Sequence, residues 1–145
     1  SVGNIIEPQA MIEKYSAAII LMGDKSELDL CRMVSKAMAH PCVMACGETT
    51  LSQFAALARK CSLVIANDGG PLHMAVAAGA RTASIFGPVD DQVYGPYPQE
   101  NHIVIKKNLA CQPCYRQFRR ASCEHVSCLE QLTVDEVFQR VKEIL

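Results

Sequence analysis

The chain has 145 residues, and half of them are hydrophobic, which is enough apolar material for one domain with a buried core. Its formal net charge of −1 gives no electrostatic reason to expect nucleic acid as a partner. No segment resembles a signal peptide, and no apolar run approaches the roughly 20 residues that a membrane-spanning helix needs. We therefore expect a single soluble domain over residues 1–145.

Strand-like and helix-like patterns alternate along the chain. Short apolar runs typical of buried strands cover residues 17–22, 42–45, 63–66, 82–86 and 103–105. Five helices are predicted, over residues 7–15, 26–39, 51–60, 71–78 and 133–145. Thr50 and Thr133 are suited to cap the third and the fifth of them. This alternation predicts an α/β fold with a parallel sheet covered by helices on both faces. The turns after Met22, Ala45 and Ala66 should then open on one edge of the sheet and form a single cleft.

The turn after the third predicted strand carries the strongest functional signal. It contains Asp68, Gly69 and Gly70, followed by Pro71 and by His73 in the first helical turn. Because proline suits the first position of a helix, we predict Gly70 as the N-cap. A helix N-terminus offers unpaired N–H groups and about half a positive charge, and the two glycines have no Cβ that would keep a ligand away from the main chain. The turn therefore suits a phosphate or diphosphate, and the His73 ring can donate a hydrogen bond to one of its oxygens. Asp68 either caps the helix, fixes the turn or faces a sugar hydroxyl, and a plain capped strand-to-helix turn is the alternative.

The eight cysteines fall into two groups. Members of the first group lie in apolar or helical patterns and are expected to be reduced core residues: Cys31, Cys42, Cys46 and Cys61. Members of the second group have the spacing C-x2-C-x8-C-x4-C, with His125 between the last two: Cys111, Cys114, Cys123 and Cys128. Four thiolates at this spacing suit a structural zinc ion or an iron–sulfur cluster, and free thiols or labile disulfides are the alternative.

The second cysteine group lies in a predicted loop, residues 108–130, that also holds Arg116, Arg119 and Arg120. A metal would order this loop, which has little apolar material of its own. The arginines form either a solvated face or a surface near anionic membrane lipid or an anionic acceptor.

Three motifs follow one another in the chain: GETTL at residues 47–51, NDGGPLHMAVAAG at residues 67–79 and FGP at residues 86–88. In this combination the chain resembles glycosyltransferase family 9, the ADP-heptose:lipopolysaccharide heptosyltransferases. That family carries G-x-T-x-L, then [ND]-D-[ST]-G-x-x-H-x-A-A-A-x-G, then [FY]-G-P. The resemblance implies a GT-B architecture of two Rossmann-like, doubly wound domains, of which this chain is the C-terminal, donor-binding half.

The resemblance also implies roles for individual residues. It places the diphosphate and the sugar of the donor at Asp68, Gly69, Gly70 and His73. Glu27 would contact the nucleotide ribose, and the turn of Thr49 and Thr50 would lie near the base. A solvated carboxylate in a first helical turn is the alternative for Glu27, and helix capping is the alternative for the threonine turn. Gly69 stands where the family usually has Thr or Ser, so one hydroxyl contact to the donor is missing.

The implied reaction is inverting transfer of a sugar from ADP-heptose or a related nucleotide sugar to a lipopolysaccharide inner-core or other glycan acceptor. The resemblance places the catalytic base in an N-terminal acceptor domain, so we expect no catalytic residue here and no turnover by this chain alone. No cofactor is required for the chemistry, because a helix N-terminus and His73 stabilise the leaving diphosphate. The implied location is the cytoplasm, with peripheral association at the inner membrane as an option. The alternative functions are a non-catalytic nucleotide-binding or phosphate-binding regulatory module and a zinc-stapled interaction domain.

Overall fold

The computed structural model describes residues 8–38, 40–116, 119–120, 123 and 125–145. The helices are α1 (Pro8–Tyr15), α2 (Leu28–Ala37), α3 (Leu51–Ala58), α4 (Gly70–Ala77), α5 (Asp91–Tyr94), α6 (Ser127–Glu130) and α7 (Val134–Lys142). The strands are β1 (Ile20–Leu21), β2 (Val43–Met44), β3 (Val64–Asn67), β4 (Thr82–Ile85), β5 (His102–Ile105), β6 (Tyr115–Arg116) and β7 (Arg119–Arg120). Short 3-10 turns at Lys25–Glu27 and Gln99–Asn101 precede α2 and β5. In the part of the chain that the structure describes, no helix is long and apolar enough to cross a bilayer.

Hydrogen bonding divides the strands into two parallel sheets and one antiparallel pair. β1 pairs with β2, and β4 lies between β3 and β5 in a separate sheet. The predicted parallel pairing is confirmed, but the prediction of one continuous sheet is wrong, because no ladder joins β1 to β3 among the described residues. β6 and β7 form the antiparallel pair. They lie, together with α6, inside residues 108–130, so this segment contains regular structure in addition to the predicted loop.

The register of the three-stranded sheet aligns the carboxyl ends of its strands. Asn67 lies opposite Ile85, which in turn lies opposite Ile105. The N–H of Asp68 donates to the carbonyl of Ile85 at 3.0 Å, and the N–H of Phe86 donates to the carbonyl of Ile105 at 2.9 Å. Both ladders therefore continue past the strand ends, and the segments that follow β3, β4 and β5 emerge at one edge.

The main core lies between this sheet and α7. All four residues of β4 are buried, and Ala83 and Ile85 share a cluster with Val137 and Val141, which are one turn apart on α7. Partly buried side chains pack against the same cluster, among them Ala17 and Ile19 just before β1, Leu63 just before β3, and Ile65 of β3. The segment that leads into β1 therefore shares the core of the three-stranded sheet, although no hydrogen-bond ladder connects the two parallel sheets among the described residues.

Reciprocal side-chain caps begin two of the helices, as predicted. Thr50 Oγ1 accepts from the N–H of Gln53 at 3.3 Å, and Thr133 Oγ1 accepts from the N–H of Glu136 at 3.2 Å. In each case the later side chain accepts the N–H of the cap residue in return. Glu136 also pairs with Lys107 at 2.6 Å, and this bond together with the cap lowers the pKa of Glu136 to about 2.

An ion pair between a buried aspartate and a half-buried lysine ties the segment after β4 to the end of β5. The carboxyl of Asp91, at the start of α5, is buried and accepts hydrogen bonds from Lys106 Nζ and, at 3.2 Å, from Gln92 Nε2. Burial alone would raise the pKa of Asp91, but the bonds from Lys106 and Gln92 outweigh it, so that the pKa lies below its usual value. Asp91 is therefore a carboxylate at neutral pH, and Lys106 is its charged partner.

The variant Lys106→Met should lower the free energy of unfolding at pH 7 by about 1–3 kcal/mol, because it leaves a buried carboxylate without its cation. Since the folded-state pKa of Asp91 is depressed, the pair stabilises the fold above the ordinary aspartate pKa, and this stabilisation is lost as the pH falls through the folded-state value. The difference between variant and wild type, measured by urea unfolding, should therefore shrink from pH 7 towards pH 2. Lys60→Met is the control at an exposed lysine, and equal losses in the two variants at pH 7 would contradict the assignment.

Leu72→Ala should destabilise the fold by about 2–5 kcal/mol, because the Leu72 side chain is fully buried beneath α4 and its truncation leaves a cavity. Leu51→Ala is the matched control, since Leu51 is 74% exposed at the start of α3, and its effect should stay within about 0.5 kcal/mol. Chemical denaturation of both variants measures the contrast, and a loss for Leu72→Ala no larger than that for Leu51→Ala would show that α4 is not packed as described.

Candidate functional site

The turn between β3 and α4 has the predicted form, with one correction. Gly69 is fully extended, with φ of 159° and ψ of −174°, and α4 begins at Gly70. The carbonyl of Gly69 accepts the first helical hydrogen bond, from the N–H of His73 at 3.4 Å. Gly69 and not Gly70 is therefore the N-cap, and Pro71 takes the second helical position, where its missing N–H still costs no helical bond.

The first turn of α4 leaves backbone donors unpaired. The N-cap Gly69 has no side chain to accept from them, and Asp68 does not cap the helix. Among the described residues, no acceptor pairs with the N–H of Gly70 or of Leu72. A Cβ built on Gly70 would meet nothing within 4 Å, and one on Gly69 would meet only the Pro71 ring at 3.9 Å. The free N–H of the exposed residue Gly70 therefore lies beside open space, whereas the N–H of Leu72 belongs to a fully buried residue. A free N–H at an open helix N-terminus is the arrangement that binds an anion.

Asp68 and His73 bring two titratable groups to this turn. Asp68 is half-buried, and burial raises the pKa of its carboxyl, while the nearby His73 acts in the opposite direction. His73 itself is exposed on the first turn of α4. The imidazole is thus accessible to a ligand on the same turn that leaves the exposed N–H of Gly70 free. The structure brings together all four residues predicted for the diphosphate site.

A pocket of about 200 Å³ opens at the same edge of the sheet, beyond the ends of β4 and β5. Its charged wall is the ion pair of Asp91 and Lys106, and the rest of its lining is Val89, Asn108, Leu109, Gln112 and Pro113. The sequence analysis did not identify this pocket. Asp91 and Lys106 are 15 positions apart and form no sequence motif. The pocket is therefore recognised only from the structure, through the alignment of the strand ends and the burial of Asp91.

Glu27 has a structural role at the first predicted turn. Its Oε2 accepts from the N–H of Asp24 at 3.0 Å and lies 2.7 Å from the position that a Cβ on Gly23 would take. Asp24 in turn accepts from the N–H of Ser26 at 2.6 Å, so that the two carboxylates form a reciprocal cap. One carboxylate oxygen of Glu27 is therefore used in helix capping, in agreement with the alternative explanation of a first-turn carboxylate. The contact between Glu27 and a ribose stays a prediction.

The threonine turn lies next to the Glu27 turn. The N–H of Gly47 donates to the carbonyl of Gly23 at 2.9 Å, which joins the ends of β1 and β2. Thr50 is the cap of α3, as the alternative explanation proposed, while Thr49 is half-buried beside it. The first two turns are thus joined directly, and among the described residues no hydrogen bond links them to Asp68 or His73. The sequence predicted one cleft formed by three turns. The structure joins the turns after β1 and β2 by a hydrogen bond, and the turn after β3 is not joined to them in this way among the described residues.

No disulfide joins any of the eight cysteines, all of which lie among the described residues. Cys31 and Cys46 are buried as predicted, whereas Cys42 and Cys61 are only half-buried. Burial, followed by the neighbouring thiol of Cys46, raises the pKa of Cys31 to about 12, which makes Cys31 an unreactive core thiol.

The four C-terminal cysteines line one small pocket together with His125. Burial raises the pKa of Cys128, and the thiols of Cys114, Cys111 and Cys123 add to this effect. In the described part of the chain, no three histidine, cysteine or acidic side chains are arranged as they would be around a metal ion.

Comparison with known proteins finds heptosyltransferases. The chain is 27% identical over 130 residues to lipooligosaccharide heptosyltransferase 2 of Campylobacter jejuni serotype O:2 (88% of this chain and 40% of that protein). It is 26% identical over 133 residues to the protein of the same name from serotype O:6 (89% and 42%). This chain thus spans about two fifths of the length of these curated relatives.

Solved structures of the same kind share the fold. A family 9 glycosyltransferase from Veillonella parvula superposes with a TM-score of 0.75 at 21% identity, covering 94% of this chain and 38% of that one. The E. coli ADP-heptose lipopolysaccharide heptosyltransferase II gives 0.74 at 17% identity, covering 96% and 40%. The E. coli heptosyltransferase WaaC with ADP gives 0.68 at 21% identity, covering 94% and 37%. The predicted fold class, half of a GT-B glycosyltransferase, is therefore confirmed.

The sequence pattern of one family matches most of the chain. The model of glycosyltransferase family 9 (heptosyltransferase) matches residues 9–125, a span that contains β1 to β5 and the whole turn from Asp68 to His73. This match covers well over half of the chain and agrees with the curated relatives and with the shared fold. The chain therefore belongs to glycosyltransferase family 9, the heptosyltransferase family.

Proposed function

We propose that this chain binds the nucleotide-sugar donor, ADP-heptose or a close relative, for an inverting glycosyltransferase of lipopolysaccharide core or related envelope glycan synthesis. The observation that carries the proposal is the open first turn of α4, where the exposed N–H of Gly70 is unpaired and the exposed ring of His73 lies on the same turn. This turn occurs in a chain of the heptosyltransferase family. A diphosphate supplies the negative charge and the acceptor oxygens that this turn lacks.

The names of the relatives support a nucleoside diphosphate as the ligand. Two of the similar solved proteins are described as an ADP-heptose heptosyltransferase and as a heptosyltransferase with ADP. The present chain differs from the family motif at Gly69, which replaces a hydroxyl side chain. We therefore propose that the main chain and His73 hold the diphosphate, with one hydroxyl contact fewer to the donor.

In the proposed reaction, the bond between the sugar and the diphosphate breaks while an acceptor hydroxyl attacks the sugar. Negative charge then grows on the departing diphosphate, where the α4 N-terminus and the His73 ring stabilise it. A carboxylate outside this chain deprotonates the acceptor hydroxyl. On this proposal the chain alone binds the donor but does not turn it over, and the whole enzyme acts at the cytoplasmic face of the inner membrane on a lipopolysaccharide or related glycan acceptor.

Calorimetric titration with ADP, ADP-heptose, UDP and GDP tests the proposal. We expect binding of the adenine ligands, and His73→Ala should weaken it about 10-fold to 100-fold, since a hydrogen bond to a charged group contributes about 1.5–3 kcal/mol. His40→Ala is the control, because His40 lies between α2 and the amino end of β2, whereas the proposed site follows the carboxyl end of β3. Equal affinity of wild type and His73→Ala for ADP would contradict the proposed site, and a preference for UDP would contradict the proposed donor.

Gly70→Ala should separate binding from folding. A Cβ at Gly70 meets open space, so thermal stability should not fall, whereas the added methyl group occupies the approach to the free donors and should weaken ADP binding. Gly79→Ala is the opposite case, because Gly79 has φ of +81° at the end of α4. It should cost about 1–2 kcal/mol of stability and leave the affinity for ADP unchanged. Unchanged ADP affinity in Gly70→Ala would show that the ligand does not approach α4 there.

A further inference from the structure

We propose that the pocket beyond the ends of β4 and β5 is a subsite for one neutral sugar ring, whose hydroxyl groups bind to the Asp91 carboxylate and the Lys106 ammonium. The pocket is built by the segment after β4, the residue after β5 and the loop that follows it. None of the described residues from Asp68 to His73 lines it. The subsite therefore lies outside the proposed diphosphate site, and its ligand does not follow from that proposal.

The two charged side chains of the pocket neutralise each other. Asp91 and Lys106 form an ion pair, and among the described residues that line the pocket no other side chain is ionisable. A phosphate or a carboxylate in the pocket would therefore meet the Asp91 carboxylate, and an amine would meet the Lys106 ammonium. Because a hydroxyl group both donates and accepts a hydrogen bond, a neutral ligand that carries several hydroxyl groups fits both charges.

Both charged groups keep capacity for further hydrogen bonds. The side chain of Asp91 is only 10% exposed, and its oxygens accept from Lys106 Nζ and Gln92 Nε2. These bonds take two of the roughly four acceptor positions of a carboxylate, and Lys106 gives Asp91 one of the roughly three donors of an ammonium. An acceptor and a donor thus lie side by side. Two adjacent hydroxyl groups of a sugar ring match them, one donating to Asp91 and the next accepting from Lys106.

The rest of the lining is apolar or already fixed. Gln112 Oε1 accepts from the N–H of Leu109 at 2.8 Å, and Gln112 Nε2 donates to the carbonyl of Gly87 at 2.6 Å. Val89, Leu109 and Pro113 supply an apolar wall, on which the C–H groups of a sugar ring can rest. The volume of about 200 Å³ lies below the roughly 300–1,000 Å³ of pockets that enclose drug-sized ligands. A single ring therefore fits the pocket better than a whole nucleotide.

Asn108 adds a polar group on the exposed side of the pocket. Its backbone has φ of 56°, in the left-handed region that asparagine adopts more readily than most other residues. Its side chain is exposed and forms no hydrogen bond among the described residues. The amide can therefore donate to and accept from a third hydroxyl group of the same ring.

Titration of the ¹⁵N-labelled full chain with the methyl glycosides of glucose, galactose and mannose tests the subsite. We expect saturable shifts of the Lys106, Asn108 and Leu109 amide signals with at least one glycoside, with a dissociation constant of about 1–10 mM, as suits a few hydrogen bonds to a neutral ligand. Inorganic phosphate is the control ligand and should leave these signals unchanged. No saturable shift with any of the three glycosides would overturn the proposal. An equal response of these signals to phosphate, or glycoside shifts confined to other residues, would overturn it too.

Asn108→Gly links the response to this pocket without disturbing the fold. Glycine adopts a left-handed φ readily, so thermal stability should not fall, while loss of the amide should weaken glycoside binding about 2-fold to 10-fold. Ser16→Gly is the matched control, because Ser16 also has a positive φ, of 52°, and does not line the pocket. Glycoside affinity in Asn108→Gly as high as in Ser16→Gly would contradict the assignment.

ADP titration separates this proposal from the diphosphate site. Asn108→Gly should bind ADP as tightly as the wild type does, because Asn108 is not part of the turn from Asp68 to His73. Failure of the glycosides to bind while ADP still shifts the Gly70 amide would overturn the sugar subsite alone. A loss of ADP binding in Asn108→Gly would show that the pocket holds part of the nucleotide and would overturn its assignment to a separate sugar ring.

Discussion

The hydrogen-bond ladder through β3, β4 and β5 is the constraint on which the rest of the structure depends. Its register places the ends of the three strands at one edge, and the bonds made by Asp68 and Phe86 continue it into the turns beyond. The edge thereby gathers the open first turn of α4 and the Asp91–Lys106 pocket. α7 holds the ladder from one face through Val137 and Val141.

Local chemistry made much of this arrangement predictable from sequence. Thr50 and Thr133 cap helices as their residue type and position indicated, and the glycine-rich turn lies at the end of a parallel strand as its pattern predicted. The N-cap was misplaced by one residue because Pro71 is tolerated at the second helical position as well as the first. The Asp91–Lys106 pair was missed because it is a tertiary contact, with no periodic or motif signal in the chain.

The division of the strands into two sheets was equally unpredictable, because apolar runs indicate strands but not their neighbours. β1 and β2 are each two residues long and are tied mainly by bonds that extend to Gly23 and Gly47. Apolar packing of Ala17 and Ile19 on the α7 cluster, and not a ladder to β3, connects them to the rest. Glu27 and Thr50 lie in the turns that follow the two strands of this smaller sheet and have clear capping roles, so the support for donor binding is concentrated at Asp68 to His73.

The central claim is that the free donors at the start of α4 bind a diphosphate. Titration of the ¹⁵N-labelled chain with ADP, followed through the amide signal of Gly70, tests it most directly, because this exposed N–H is the proposed contact. We predict a large, saturable shift for this signal, with the amide of Gly79 at the far end of α4 almost unchanged. Saturable shifts confined to residues away from this turn, or no shift at all, would contradict the account.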